Sequence, residues 1–94
     1  MTFARISALC QLINRFQIAR HDESDRVVVI ISFDLLNDLR EKCVKSMKEN
    51  TDGDEFFCGC QIIMSRDNDF LAVAYLDELE DEYHDMIEIT EEDA

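Results

Sequence analysis

Residues 26–33 read RVVVIISF, and the predicted sheet is built around this short stretch. The run is rich in β-branched residues and is too short and too unpatterned for a surface helix. A continuous apolar run of this length is typical of a strand that is buried on both faces. We therefore expect it to lie in the centre of a sheet.

Amphipathic patterns occur on both sides of this run. Apolar residues at steps of three and four predict a first helix over residues 3–19. The same spacing predicts a second helix that begins after Ser32 or Asp34 and ends near Asn50, with lysines close to its C-terminus. The apolar positions are Ile6, Leu9, Cys10, Ile13 and Phe16 in the first helix, and Leu36, Leu39, Cys43 and Met47 in the second.

The spacing of apolar residues changes in the second half of the chain. Residues 55–65 and 70–76 alternate apolar and polar side chains, and a polar turn at residues 66–69 separates them, which predicts a β-hairpin. Residues 77–88 return to helical spacing and predict a third helix, followed by a frayed acidic tail at residues 89–94. The apolar stripe of this third helix consists of Leu76, Leu79, Tyr83, Met86 and Ile87.

Residues 1–94 are expected to form a single domain. The predicted order is α-β-α-β-β-α. This order corresponds to an α+β fold with a small, mainly antiparallel three-stranded sheet and two to three helices packed on it.

The distribution of charge divides the chain into two parts. Residues 1–66 carry all nine Lys and Arg residues and ten acids, whereas residues 67–94 carry twelve acids and no Lys or Arg. Nucleic acid and anionic membranes would be repelled by the second part, because proteins bind both through Lys and Arg. A basic protein would be attracted to it. The charge therefore predicts a basic protein partner and excludes direct binding to nucleic acid or membrane.

The compartment is predicted from what the sequence does not contain. Its first nineteen residues have no long apolar run typical of a signal peptide, and no segment approaches the roughly 20 apolar residues that span a bilayer. We expect a cytoplasmic protein, in the host cytoplasm if a phage encodes it. Its four cysteines are then reduced thiols that serve mainly as core residues.

The sequence predicts no catalytic residue, cofactor or metal site. The pair Cys58 and Cys60 lacks a second cysteine pair of the kind that zinc sites use, although Cys10, Cys43, His21 and His84 could supply further ligands. The acids around Gly53 and Asn68 do not follow the spacing of a calcium-binding loop and are explained as turns. His84, among acids, is interpreted as a partly protonated neutralising residue on a helix face.

The third helix is the candidate binding surface. Its acids recur at four-residue spacing, where like charges cost about 0.2–0.5 kcal/mol per pair, so its apolar stripe has to hold it in place. Carboxylates about 5–6 Å apart on a helix come near the spacing of successive phosphates. The predicted contact residues are Asp77, Glu78, Glu80, Asp81, Glu82, Asp85 and Glu88.

These features predict a non-enzymatic inhibitor that occupies the basic groove of a nucleic-acid-binding protein. In charge, length and absence of enzymatic motifs, the chain resembles phage-encoded inhibitors of host defence, such as anti-CRISPR and anti-restriction proteins. The resemblance implies nucleic-acid mimicry and no individual residue roles.

Two alternatives remain open. One is a self-associating structural or adaptor subunit, such as a homodimer, whose acids only keep it soluble. The other is a small metal or thiol protein built on Cys58 and Cys60.

Overall fold

A computed structural model describes residues 1–19 and 25–91. Within these residues the chain forms two α-helices, one 3₁₀ turn and six β-strands. In chain order they are α1 (Phe3–Ile18), β1 (Asp25–Ser32), α2 (Phe33–Lys42), the 3₁₀ turn (Val44–Ser46), β2 (Met47–Glu49), β3 (Glu55–Phe57), β4 (Cys60–Ser65), β5 (Leu71–Asp77) and β6 (Glu82–Glu88).

All six strands belong to one sheet, in the order β2-β3-β4-β1-β5-β6. Strand β1 is central, as its apolar run predicts, and its last six residues are buried. It runs parallel to β4, with Val29 beside Ile62, and antiparallel to β5, with Val29 beside Val73. The long crossover that a parallel pair requires is supplied by α2 and the β2–β3 hairpin.

Both helices pack on the same face of the sheet. The main core joins α1 and α2 to this face, and Leu9, Leu39 and Val29 in it are fully buried. The opposite face has a smaller cluster of Val28, Ile30 and Ala74, against which two strand residues, Ile63 and Leu76, and the loop residue Phe70 pack. The molecule therefore has two layers, as expected for an α+β fold.

The prediction of a small three-stranded, mainly antiparallel sheet is wrong, because the sheet has six strands and a parallel pair. The predicted hairpin between residues 55–65 and 70–76 is also wrong, since β1 lies between β4 and β5. The first of those segments is instead a hairpin by itself. Cys58 and Gly59 both have positive φ, 50° and 81°, and such a pair forms the two-residue turn that closes tight hairpins.

The second predicted helix is shorter than expected and ends at Lys42 instead of near Asn50. The residues beyond it form β2, which pairs with β3 so that Met47 lies beside Phe57. The Asn50 side chain accepts hydrogen bonds from the amides of Asp52 and Asp54, at 3.0 and 2.9 Å, and shapes the turn between the two strands. Pairing with β3 thus replaced helical hydrogen bonds in this segment.

The predicted third helix is wrong as well. Residues 82–88 form β6, an antiparallel partner of β5, and Asp81 and Asp85 have left-handed φ values of 55° and 56° that no α-helix contains. A strand relieves the repulsion between acids four residues apart, because they are then about 13 Å apart along the strand instead of about 5–6 Å apart on a helix. The α-β-α-β-β-α order therefore does not hold.

Arg5 connects the first helix to the end of the chain. Its guanidinium is 1% exposed and donates to the Ile89 carbonyl from Nε and Nη2, at 3.1 and 2.9 Å. It also forms ion pairs with Asp69 at 2.9 Å and Glu91 at 3.4 Å. Ile89, the first residue of the predicted tail, is buried, and residues 92–94 lie outside the described part of the chain.

Candidate protein-binding surface

The seven predicted contact residues lie on one hairpin, formed by β5, a turn at residues 78–81, and β6. We call residues 71–88 the acidic hairpin. Asp77 ends β5, three of the acids occupy the turn, and Glu82, Asp85 and Glu88 lie on β6. Six of the seven are exposed, and Asp77 is half-buried. The β5–β6 pairing shifts register between Val73 and Tyr75, and Asp85 at this irregularity has a positive φ of 56°.

Asp77 organises the turn. Its Oδ1 accepts hydrogen bonds from the amides of Leu79 at 2.9 Å and Glu80 at 3.4 Å, and its carbonyl accepts from the Asp81 amide at 2.7 Å. Aspartate is one of the few residues that tolerate the left-handed conformation of Asp81. The turn acids are therefore held in place by local backbone geometry.

The sheet register creates a row of three carboxylates that the sequence pattern did not reveal. Asp25 on β1 lies opposite Asp77 on β5, and Asp77 lies opposite Glu82 on β6. Like charges directly opposite each other destabilise a sheet. Asp25 lies outside the acidic C-terminal segment, so only the pairing of β1 with β5 identifies it as part of this surface.

Few cations offset these acids. Within the described residues, Arg26 forms the one Lys or Arg ion pair with the seven, from Nε to Glu78 Oε1 at 3.1 Å. His84 Nε2 lies 3.8 Å from Asp77 Oδ2 and forms an ion pair when protonated. The surface consequently keeps most of its negative charge, and it can attract a basic partner over a distance set by the salt concentration.

The apolar residues of the predicted stripe do not anchor the segment as a helix would. Leu79 is 85% exposed, and Tyr83, Met86 and Ile87 are each a little over 40% exposed. The strand is held by its ladder with β5 and by burial of Ile89 beyond its end. These half-exposed side chains give the acidic hairpin apolar area that a partner can cover.

Asp77, Glu80 and His84 are the closest group of potential metal ligands among the described residues, with ligand atoms within 4.8 Å of one another. Carboxylate oxygen and imidazole nitrogen are both common ligands of divalent cations. His84 was predicted to lie on a helix face. It lies instead on strand β6, paired with Tyr75. His21 lies outside the described residues.

The four cysteines differ in burial, although they were predicted to serve mainly as core residues. Cys60 is buried, Cys43 is half-buried, and Cys10 and Cys58 are exposed. Burial is the main cause that raises the pKa of Cys10, Cys43 and Cys60, the last to about 11, and the neighbouring Cys58 raises each of them further. A thiol with a raised pKa is a weak nucleophile near neutral pH, since the thiolate is the reactive form.

Neither α-helix of the described residues is long and apolar enough to cross a membrane. No protein-family model matches the chain, and no curated protein sequence or solved structure matches it either.

Proposed function

We propose that this protein is a non-enzymatic inhibitor that binds a basic, nucleic-acid-binding partner and occupies the groove in which that partner holds nucleic acid. The acidic hairpin is the contact surface. One observation carries the proposal: a hairpin of fixed geometry exposes six carboxylates and has one arginine paired with it in the described residues.

Strand geometry supports nucleic-acid mimicry in a different way from the helix expected at first. Glu82, Asp85 and Glu88 follow one another at three-residue steps along β6, no more than about 10 Å apart at the usual strand rise of about 3.3 Å per residue. The turn acids and Glu82 extend this display beyond the end of β5. A basic groove recognises charge at such spacings without reading bases, because phosphate contacts supply most of the non-specific affinity for nucleic acid.

The raised thiol pKa values argue against a nucleophilic role for Cys10, Cys43 and Cys60. A nucleophilic cysteine requires a lowered pKa or an adjacent base. Cys10, Cys43 and Cys60 have the opposite shift. We assign the activity to the cytoplasm, where free thiols stay reduced.

The proposal is tested by capture of a basic partner on the immobilised protein, with added DNA or RNA as competitor. The informative variant is Glu80→Lys with Glu82→Lys, because Asp81 and Asp85 have positive φ, at which a lysine would be strained. The matched control is Glu41→Lys with Asp52→Lys. It changes the net charge equally, at exposed acids far from the acidic hairpin.

We expect the wild type and the control to capture the partner at low salt and to release it to nucleic acid or to high salt. The Glu80→Lys, Glu82→Lys variant should bind at least tenfold more weakly, because it reverses charge at the contact surface. Equal capture by both variants would contradict the proposal. A stable homodimer in light scattering, unchanged by the Glu80→Lys, Glu82→Lys substitutions, would favour the self-associating subunit.

A further inference from the structure

A trough runs between α1 and β6 on the helix-bearing face, and its wider part is apolar. Its wider part, about 390 Å³, is lined by Phe16, Ile18, Tyr75 and Ile87. A neighbouring part of about 360 Å³ continues along α1 past Leu12. The two parts share Arg15 and Ile87, so they form one depression along the strand.

The wall of the trough is preformed. The Tyr75 ring stacks on Phe16 with a centroid distance of 4.7 Å, and the Tyr75 hydroxyl donates to the Phe16 carbonyl at 2.6 Å. Ile18, at the end of α1, is 77% exposed, although it lies next to this wall. A partner that enters the trough would therefore bury apolar surface without first rearranging it.

The outer edge of β6 has backbone groups that point away from β5. Among the described residues, no strand lies beyond β6 in the sheet order. The Ile89 amide donates to the Leu71 carbonyl at 2.8 Å. Hydrogen-bonded and non-hydrogen-bonded pairs alternate in an antiparallel ladder, so Glu88, opposite Ala72, directs its amide and carbonyl away from β5. A seventh strand could pair there.

We propose that β6 accepts an extended, basic segment of the partner as a seventh strand of the sheet. This inference rests on the proposed function and specifies how the acidic hairpin binds. Alternate side chains of the added strand point to opposite faces. Apolar ones enter the trough, and Lys or Arg side chains on the other face meet Glu88.

The apolar lining of the trough favours this orientation. Among the described residues, the wider part has one cation, Arg15, and one acid, Asp85, whose charges offset each other, and its other side chains are mainly apolar, so it favours apolar side chains of the added strand. Glu88 shares the opposite face with its cross-strand neighbour Ala72. An extended partner also satisfies the outward backbone groups of β6, as strand addition does in other recognition domains, whereas a helix would leave them unpaired.

The probe is a six-residue peptide of alternating lysine and valine, acetylated and amidated, with two derivatives. In one, the three lysine nitrogens are methylated on the backbone, and in the other the three valine nitrogens. In antiparallel pairing with β6, lysines on the face of Glu88 direct their amides toward β6, and the valine amides point away from it. Both derivatives keep the same charge and side chains.

We expect the parent and the valine-methylated peptide to bind at low salt in a fluorescence anisotropy titration, and the lysine-methylated peptide to bind at least tenfold more weakly. Hydrogen exchange of the Glu88 amide should slow at least tenfold in the complex with the parent peptide. Equal binding of the two methylated peptides would overturn strand addition.

The outcomes separate this inference from the proposed function. If both methylated peptides bind equally but fail to bind the Glu80→Lys, Glu82→Lys variant, strand addition is wrong and the acidic hairpin still binds basic segments. If no peptide binds at low salt, strand addition is overturned, and the capture experiment decides the function by itself. Dimerisation through β6 without peptide would also overturn it, because a second copy would then cover the edge.

Discussion

The two edges of the sheet differ in length, charge and burial. The edge strand β2 is three residues long, Lys45 precedes it and Lys48 lies within it. The β6 edge is seven residues long, every residue of it is exposed, and it carries three acids and no Lys or Arg. A short edge strand with lysines is a common protection against unwanted pairing. One edge of the sheet is therefore short and carries a lysine, and the other is long, exposed and acidic.

At both edges of the sheet, an acid on the edge strand lies opposite an acid on the neighbouring strand. The two pairs differ in whether an arginine offsets their charge. At the β2 edge, Glu49 lies opposite Glu55, and Arg40 donates from Nε to Glu55 at 2.9 Å. This hydrogen bond is the main cause that lowers the pKa of Glu55. At the β6 edge, Glu82 lies opposite Asp77, and no arginine of the described residues bridges the two. The negative charge therefore remains available at β6.

The largest expected effect is on the free energy of unfolding, and it depends on how deeply apolar side chains are buried at or beside each edge. Phe57, on β3 beside β2, is 1% exposed, whereas Ile87 on β6 is 43% exposed. We expect Phe57→Ala to lower the free energy of unfolding by about 4 kcal/mol, because it leaves a cavity in the core. Ile87→Ala should cost less than about 1 kcal/mol. Urea unfolding measures both. Equal costs would mean that the trough side of β6 is packed and cannot accept a partner.

A somewhat smaller effect is expected at Arg5, which holds the chain just beyond β6. Arg5→Leu removes the donors to the Ile89 carbonyl and to Asp69 and should cost about 3 kcal/mol, since a buried polar group without its partner is expensive. Arg66→Leu, at an exposed arginine, is the control and should change stability by no more than about 0.5 kcal/mol. Both values come from urea unfolding.

Amide exchange at Ile89 should accelerate in Arg5→Leu, as the end of β6 is released. If Arg5→Leu unfolds no more easily than Arg66→Leu, the end of β6 is held by the strand ladder alone.

The smallest expected effect concerns charge at the two edges. Glu82→Lys should raise the free energy of unfolding by about 0.5 kcal/mol at low salt, because a lysine opposite Asp77 replaces repulsion with attraction. Glu49→Lys should give no gain, since Glu49 already interacts with Arg40. Thermal unfolding at low and high salt checks both. If Glu49→Lys raised the free energy of unfolding as much as Glu82→Lys, the two edges would not differ electrostatically in the way proposed.

Local patterns predicted the parts of the fold that depend on neighbours in sequence. The helical spacing of Ile6, Leu9 and Ile13 correctly predicts α1, and all three side chains are buried in the core. The same reasoning failed for residues 77–88, because Leu79, Tyr83 and Ile87 fit a helical stripe as well as they fit a strand. Periodicity alone cannot decide between the two when the strand is an edge strand of mixed polarity.

The sequence predicted which acids form the candidate surface, but it did not predict how they are arranged in space. The acids of residues 77–88 are evident from the sequence, and they lie together on the acidic hairpin. Asp25 was missed because its place beside Asp77 depends on the β1–β5 register. Arg5 was missed because nothing in a helix sequence signals that an arginine will be buried against a carbonyl 84 residues later.

The sequence by itself determined a central buried strand, an amphipathic first helix and an acidic C-terminal third, because each depends on residue type and short-range spacing. The tertiary structure alone decided that β1 separates β4 from β5, that residues 82–88 form a strand, and that the acids lie along an open edge. These features depend on backbone pairing between distant segments. Every backbone segment carries similar donors and acceptors, so pairing leaves little trace in the local pattern.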